Sequence, residues 1–299
     1  MENNIRTDIH TDLACEIAGR AGGRGVSVDE KVEGDMAVTV VKVLDESGAQ
    51  KLGKPVGTYV TAYSPSLCRN DPEQKRGMAH TIAGQLKALL PELKKDDTVL
   101  VLGLGNSAVT PDALGSKAAQ RVLVTRHIIQ NIPDAVDERA RSVCAIAPGV
   151  LGVTGLETGE VALGIVENIK PACVIAIDSL AALSLHRVLT TVQIADSGIC
   201  PGSGLNNPRR ELTAQTLGVP VIAVGVPLVV SARSILRDAL GDDGENEALN
   251  NIIDRSIDDM VVTPKDIDEA VNLAADVVAM GINLAIHDGI GYDEFQEII

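Results

Sequence analysis

Two aspartates stand where paired acid–base chemistry can be done. Asp178 closes the apolar run Ala172-Cys-Val-Ile-Ala-Ile-Asp178, and Asp112 comes shortly after a second run, Thr98-Val-Leu-Val-Leu-Gly103. In an open parallel sheet, ligands bind in the crevice beyond the carboxyl ends of the strands. If these two runs are neighbouring strands, both acids face one crevice. Two carboxylates held close do not both ionise readily, so one keeps a proton while the other serves as base. Such a pair can activate a water against a peptide carbonyl and protonate the leaving nitrogen. Each acid also has a plain structural use. Asp112 can favour a helix dipole as a first-turn acid, and Asp178 can cap the turn that follows it.

Other constellations carry less chemistry. Glu157, in Thr154-Gly-Leu-Glu157-Thr158, is a third candidate acid near the same strand ends, or a solvated turn residue. Gly103-Leu-Gly105-Asn106 follows a strand, but Ala108 stands where the third glycine of a dinucleotide fingerprint belongs, and no early βαβ unit carries it. Pro201-Gly-Ser203-Gly-Leu-Asn-Asn207 is either a plain turn or a loop offering backbone N–H groups to an anion or oxyanion. Ser203 lacks the nucleophile elbow of a serine hydrolase. The five histidines are dispersed without metal-ligand spacing, so neither metal nor cofactor is expected. Two alternatives to an acid-pair hydrolase stay open. One is a metal-dependent maturation-type protease using the same acids as ligands; the other is a non-enzymatic α/β module holding an anion at Gly103–Asn106.

The elements that must hold these residues read as an α/β fold, a mainly parallel sheet with helices on both faces. Short apolar strands are expected at 98–103, 142–146, 172–178 and 219–226, with helical segments between them, which is the pattern of a sheet covered on both sides. Strands at 36–44 and 54–63 precede them. A helix is expected from Asp71-Pro72 to Leu90, another over 160–169, and a long one from Thr263-Pro264-Lys-Asp266 to about His287. Gly241–Asn251 reads as an acidic loop. With three Tyr, one Phe and no Trp, the core must be packed from aliphatic side chains and close-approaching glycines, and no aromatic platform for bases exists. A net charge of -15 repels phosphate, so direct nucleic-acid binding is excluded. The uncharged stretch 212–232 is interrupted by glycines and prolines and reads as strand and loops rather than a membrane span. Five cysteines without a C-x-x-C pair, and a polar acidic start, fit a cytoplasmic chain.

Taken together, the motifs resemble those of the germination protease family of spore-forming bacteria. They are Gly103-Leu-Gly-Asn106, Val109-Thr-Pro-Asp-Ala-Leu-Gly115, Thr154-Gly-Leu-Glu-Thr158, Ala176-Ile-Asp178-Ser-Leu-Ala181 and Pro201-Gly-Ser-Gly204. Gly218-Val-Pro-Val-Ile222, Val262-Thr-Pro-Lys-Asp266 and Met280-Gly-Ile-Asn-Leu-Ala-Ile-His287 follow in the same order, so the resemblance runs from about residue 5 to about 290. It implies an atypical aspartic endopeptidase, similar in fold to hydrogenase maturation proteases, that degrades small acid-soluble spore proteins at germination. Its essential aspartates map onto Asp112 and Asp178. The resemblance further implies a homotetramer of the forespore and spore core, made as a zymogen that removes its own N-terminal segment. Thr11-Asp12-Leu13-Ala14-Cys15-Glu16 matches such a site, so cleavage is expected between Asp12 and Leu13, with Asp8-Ile9 as the competing match. Residues 1–12 would then be a propeptide, and 13–299 one peptidase domain with a C-terminal helical segment at about 252–290. Ser107, Ser116 and Ser179 depart from the residues usual in the family, and bear on substrate fit rather than chemistry.

Overall fold

Alternate residues of Thr98–Gly103 feed two separate hydrophobic layers, and that alternation organises the molecule. The computed structural model describes residues 25–201, 210–240 and 260–298. Its strands are β1 (Val26–Glu33), β2 (Met36–Val43), β3 (Gly57–Tyr63), β4 (Thr98–Gly103), β5 (Ser142–Ile146), β6 (Cys173–Ala182), β7 (Thr191–Ala195), β8 (Val221–Ser231) and β9 (Val261–Val262). They form one sheet in the order β1-β2-β3-β7-β8-β6-β4-β5, with β9 beside β8. The helices are α1 (Glu46–Leu52), α2 (Pro72–Leu89), α3 (Leu114–Ala119), α4 (Arg126–Asn131), α5 (Leu151–Thr154), α6 (Thr158–Ile169), α7 (Ala214–Leu217), α8 (Ala232–Leu240), α9 (Ile267–Ile286) and α10 (Tyr292–Ile298).

Val99 and Val101 of β4, with Ile175 and Ile177 of β6, face a layer built by α2, α3 and α9. Leu100 and Leu102, with Val174 and Ala176, face the other layer, where Ala162 and Val166 of α6 pack. Helices therefore cover both faces, as the continuous apolar strands require. The sheet is mixed rather than mainly parallel: β5, β4, β6 and β8 run parallel, and β7, β3, β2 and β1 continue antiparallel from β8. From β4 the chain goes outward to β5 and then back across to β6, so the strand order reverses at β4. Open α/β sheets bind ligands at such a reversal.

Long-range packing compensates for the scarcity of rings. Ala79 and Ala83 of α2 share one layer with Ala274, Ala275 and Val278 of α9. Helix α9 is long and apolar enough to cross a membrane, yet 67% of its most apolar window is buried in the protein, as a core helix would be. The C-terminal helical segment begins at Ile267, after β9, and α10 extends it beyond residue 290. The acidic loop at 241–251 and the N-terminal residues 1–24 lie outside the described residues.

Candidate active site

Strands β4 and β6 are parallel neighbours, with Gly103 opposite Ile177, so the condition on which the aspartate pair depended is met. Past Gly103 the chain stays on β6 for one more residue, because Leu104 N–H donates to the Ile177 carbonyl at 2.8 Å. Gly105 then turns it at φ +91°, in the left-handed region that favours glycine. A Cβ there would lie 2.1 Å from the Asp112 carbonyl oxygen, so only glycine fits. The loop returns as the 3-10 turn Thr110–Asp112, and the half-buried Asp112 carboxylate accepts the Asn106 N–H through Oδ2 at 2.7 Å. Asp112 thus closes its own loop, and α3 starts two residues later, so it is not a first-turn acid of that helix.

Helix α3 lies against the ends of both strands. A Cβ on Gly115 would fall 2.3 Å from the Ile177 carbonyl oxygen, and one on Gly103 would fall 2.2 Å from the Gly115 carbonyl oxygen. Leu114 N–H donates to Ser179 Oγ at 3.3 Å, hitching the helix start to the residue after Asp178. From outside, Thr110 Oγ1 donates to Asp268 at 2.8 Å, and Lys117 and Arg121 each donate to Asn272 at 3.0 Å, so α9 clamps the turn and α3 together.

Asp178 is 4% exposed, and its Oδ1 accepts the Ser179 N–H at 2.9 Å. It does not close its strand: β6 runs on to Ala182, because β8 continues beside it past an irregularity at Leu180–Ala181. The 3-10 turn carrying Asp112 packs against both β6 and β8. The turn that carries Asp112 thus packs at the end of the sheet where β6 carries the buried Asp178.

The remaining candidates resolve differently. Glu157 is the N-cap of α6 in a reciprocal capping box, with its own N–H donating to Glu160 Oε2 at 3.3 Å. The N–H groups of Leu104, Asn106 and Ala108 are donated to Ile177, Asp112 and Asn106, so they do not form an anion nest. Among the described residues, no three His, Cys, Asp or Glu side chains are grouped as metal ligands would be. Ser116 is buried, and its hydroxyl donates to the Ala113 carbonyl, while Ser107 is exposed. Ser179, counted only as a departure in the sequence, joins the two acid-bearing segments. Asp12, Leu13 and Ser203 lie outside the described residues.

A doubly covered α/β sheet whose strand order reverses at β4 is of the class that binds ligands beyond its strand ends. The sequence narrows the class. A sequence model described as germination protease matches residues 16–242. Over 99% of both chains, this one is 38% identical to the germination protease of Clostridium acetobutylicum and 40% identical to that of Clostridium perfringens. It is 34% identical to that of Priestia megaterium, over 98% of this chain and 96% of that one. The chain belongs to the germination protease family and is a peptidase of spore germination. Among solved structures it is similar to a NiFe hydrogenase maturation protease, HycI from Thermococcus kodakarensis KOD1. That likeness has 16% identity and a TM-score of 0.36, over 66% of this chain and 98% of that one.

Proposed function

We propose that this peptidase is an aspartic-type endopeptidase in which Asp112 and Asp178 share the acid and base roles, with no metal or cofactor. One proton is held between them; the ionised partner takes a proton from the attacking water, and the protonated partner gives one to the leaving nitrogen. The observation that carries this reading is the closure of the Gly103–Asp112 loop on β6. It is supported by three glycines and the Ser179 tie, which bring the Asp112 loop and the start of α3 close against the ends of β4 and β6. The enzyme is a zymogen of the forespore and spore core that cuts itself between Asp12 and Leu13, then degrades small acid-soluble spore proteins as a homotetramer.

Asp112→Asn and Asp178→Asn are expected to fold, to keep residues 1–12, and to lose cleavage of an acid-soluble spore protein by about 10²- to 10⁴-fold. Mass spectrometry of the incubated full-length chain reads the first result and a cleavage assay the second. Retained cleavage in both variants sinks the pair, and a matured chain starting at Ile9 refutes the Asp12 site. Activity lost to a chelator and restored by a divalent ion would assign the acids to a metal instead.

A further inference from the structure

The register of the sheet continues the floor of the site beyond Asp178. Asp178 is paired with Gly225 of β8, Gly225 with Gln193 of β7, and Gln193 with Thr61 of β3. Residues paired in register point to the same face, and that face is the one lined by Tyr59, Val174, Ala176, Ala195 and Ala223. Within this aliphatic layer the side chains of Thr61, Gln193 and Asp178 are buried, and none of the three is without a polar or charged interaction. A buried carboxamide is costly unless it is hydrogen-bonded, so its place in a strand centre calls for a purpose. Between Gln193 and Asp178 stands only a glycine. Their backbones are two strand spacings apart, roughly 10 Å, and Gly225, the residue between them, carries no side chain.

The geometry points to Gln193 as a positioning residue that holds the Asp178 carboxyl in its working orientation, with Thr61 bracing the far side of the amide. A carboxamide suits this task because it donates to a carboxylate and accepts from a carboxylic acid, so it serves Asp178 in either protonation state. Among the described residues, titratable groups near the row include Asp112, on the turn packed against β6 and β8, Lys54, buried just before β3, and Asp196, whose charge acts on Tyr59. Tyr59 lies two residues before Thr61 on the same face, its phenol kept neutral by burial, which pushes it up to about 12.

This inference rests on the aspartate pair proposed above, and the experiment separates the two. Full-length Gln193→Met keeps the side-chain volume and removes the amide; Gln193→Glu keeps the shape and adds a carboxyl. Steady-state cleavage of a purified acid-soluble spore protein is followed across pH, with Asp112→Asn and Asp178→Asn as controls. The expected result for Gln193→Met is a kcat lower by on the order of 10- to 100-fold with KM within about twofold. Gln193→Glu should move the pH profile upward, since a second carboxyl disfavours ionisation of its neighbour. If Gln193→Met does not fold, the profile of Gln193→Glu decides. A wild-type kcat in Gln193→Met, a rise in KM alone, or an unmoved profile in Gln193→Glu overturns the assignment. Should the two Asn controls stay active, it is the pair that fails; should they be inactive beside a fully active Gln193→Met, only the role of Gln193 does.

Discussion

At the scale of single residues, the shape of the strand-end loop depends on side chains that are missing. Gly115 lies against backbone on every side, with Ile177 O, Leu104 O and Leu104 N all within 2.5 Å of where a Cβ would stand. None of these is a flexible side-chain end, so Gly115→Ala must push α3 off the strand ends. It is expected to lower unfolding stability by about 3 kcal/mol and to abolish cleavage, because the same shift carries Asp112 away from β6. Gly164 is the control. It is exposed on α6, and a Cβ there meets nothing within 4 Å. Gly164→Ala should raise stability by about 0.5–1 kcal/mol, through helix propensity and a less flexible unfolded chain, with cleavage unchanged. Urea unfolding of the two variants tests the pair, and equal effects would mean that the contact at Gly115 is not what restricts the site.

The elements raise a different question, namely which acids serve the fold and which serve chemistry. Glu157 begins α6 and shares a capping box with Glu160. Glu157→Ala should therefore cost about 1 kcal/mol and leave kcat intact, whereas a large fall in kcat at unchanged stability would make Glu157 a third acid. Its place beside a strand end could not separate these uses in the sequence, since a cap and a catalytic acid both favour the start of a helix. The strands of the parallel half were legible because each is a short run of apolar residues, and Thr98–Gly103 and Ser142–Ile146 hold to the residue. Three antiparallel strands were not: β1, β7 and the two-residue β9. In β1 the charged run Asp29-Glu30-Lys31 interrupts the valines on an exposed edge, and β7 carries Thr191 and Gln193 within a buried strand, which breaks the apolar pattern. Asp112 and Asp178 could be picked out as acids beside strand ends. Gln193 could not, because its relation to Asp178 exists only through the register of three strands. Ser179 was hidden in the same way, its partner Leu114 being supplied by another element.

For the whole molecule, the decisive variable is pH, and a residue far from the aspartates sets part of the response. His287 follows α9, is fully buried, accepts the Arg141 N–H through Nδ1 at 3.0 Å, and packs its ring 5.7 Å from that of Phe295 in α10. It therefore pins the end of α9 to the approach to β5 and to the last helix. Burial is the main cause that lowers its pKa to about 4, opposed by hydrogen bonding at the Leu123 backbone and aided by the Arg141 charge. Unfolded, the imidazole titrates near 6.5, so between these values the unfolded chain binds the proton that the folded chain refuses. Stability from this group is complete above pH 6.5, declines as pH falls toward 4, and the loss amounts to on the order of 3 kcal/mol. Asp137, held down to about 2 by hydrogen bonds from Arg139, titrates in a lower window and does not obscure the first. Unfolding free energies measured from pH 7.5 to 4 should slope downward in the wild type and flatten in His287→Gln; parallel slopes would remove His287 from the account. The consequence reaches the chemistry. The proposed aspartate pair, sharing one proton, would gain from acid, while the C-terminal helices lose their anchor over the same range, so cleavage should rise and then collapse as pH falls. In His287→Gln the collapse should move to lower pH with the rise left in place, which separates the titration of the acids from the loosening of the fold that carries them.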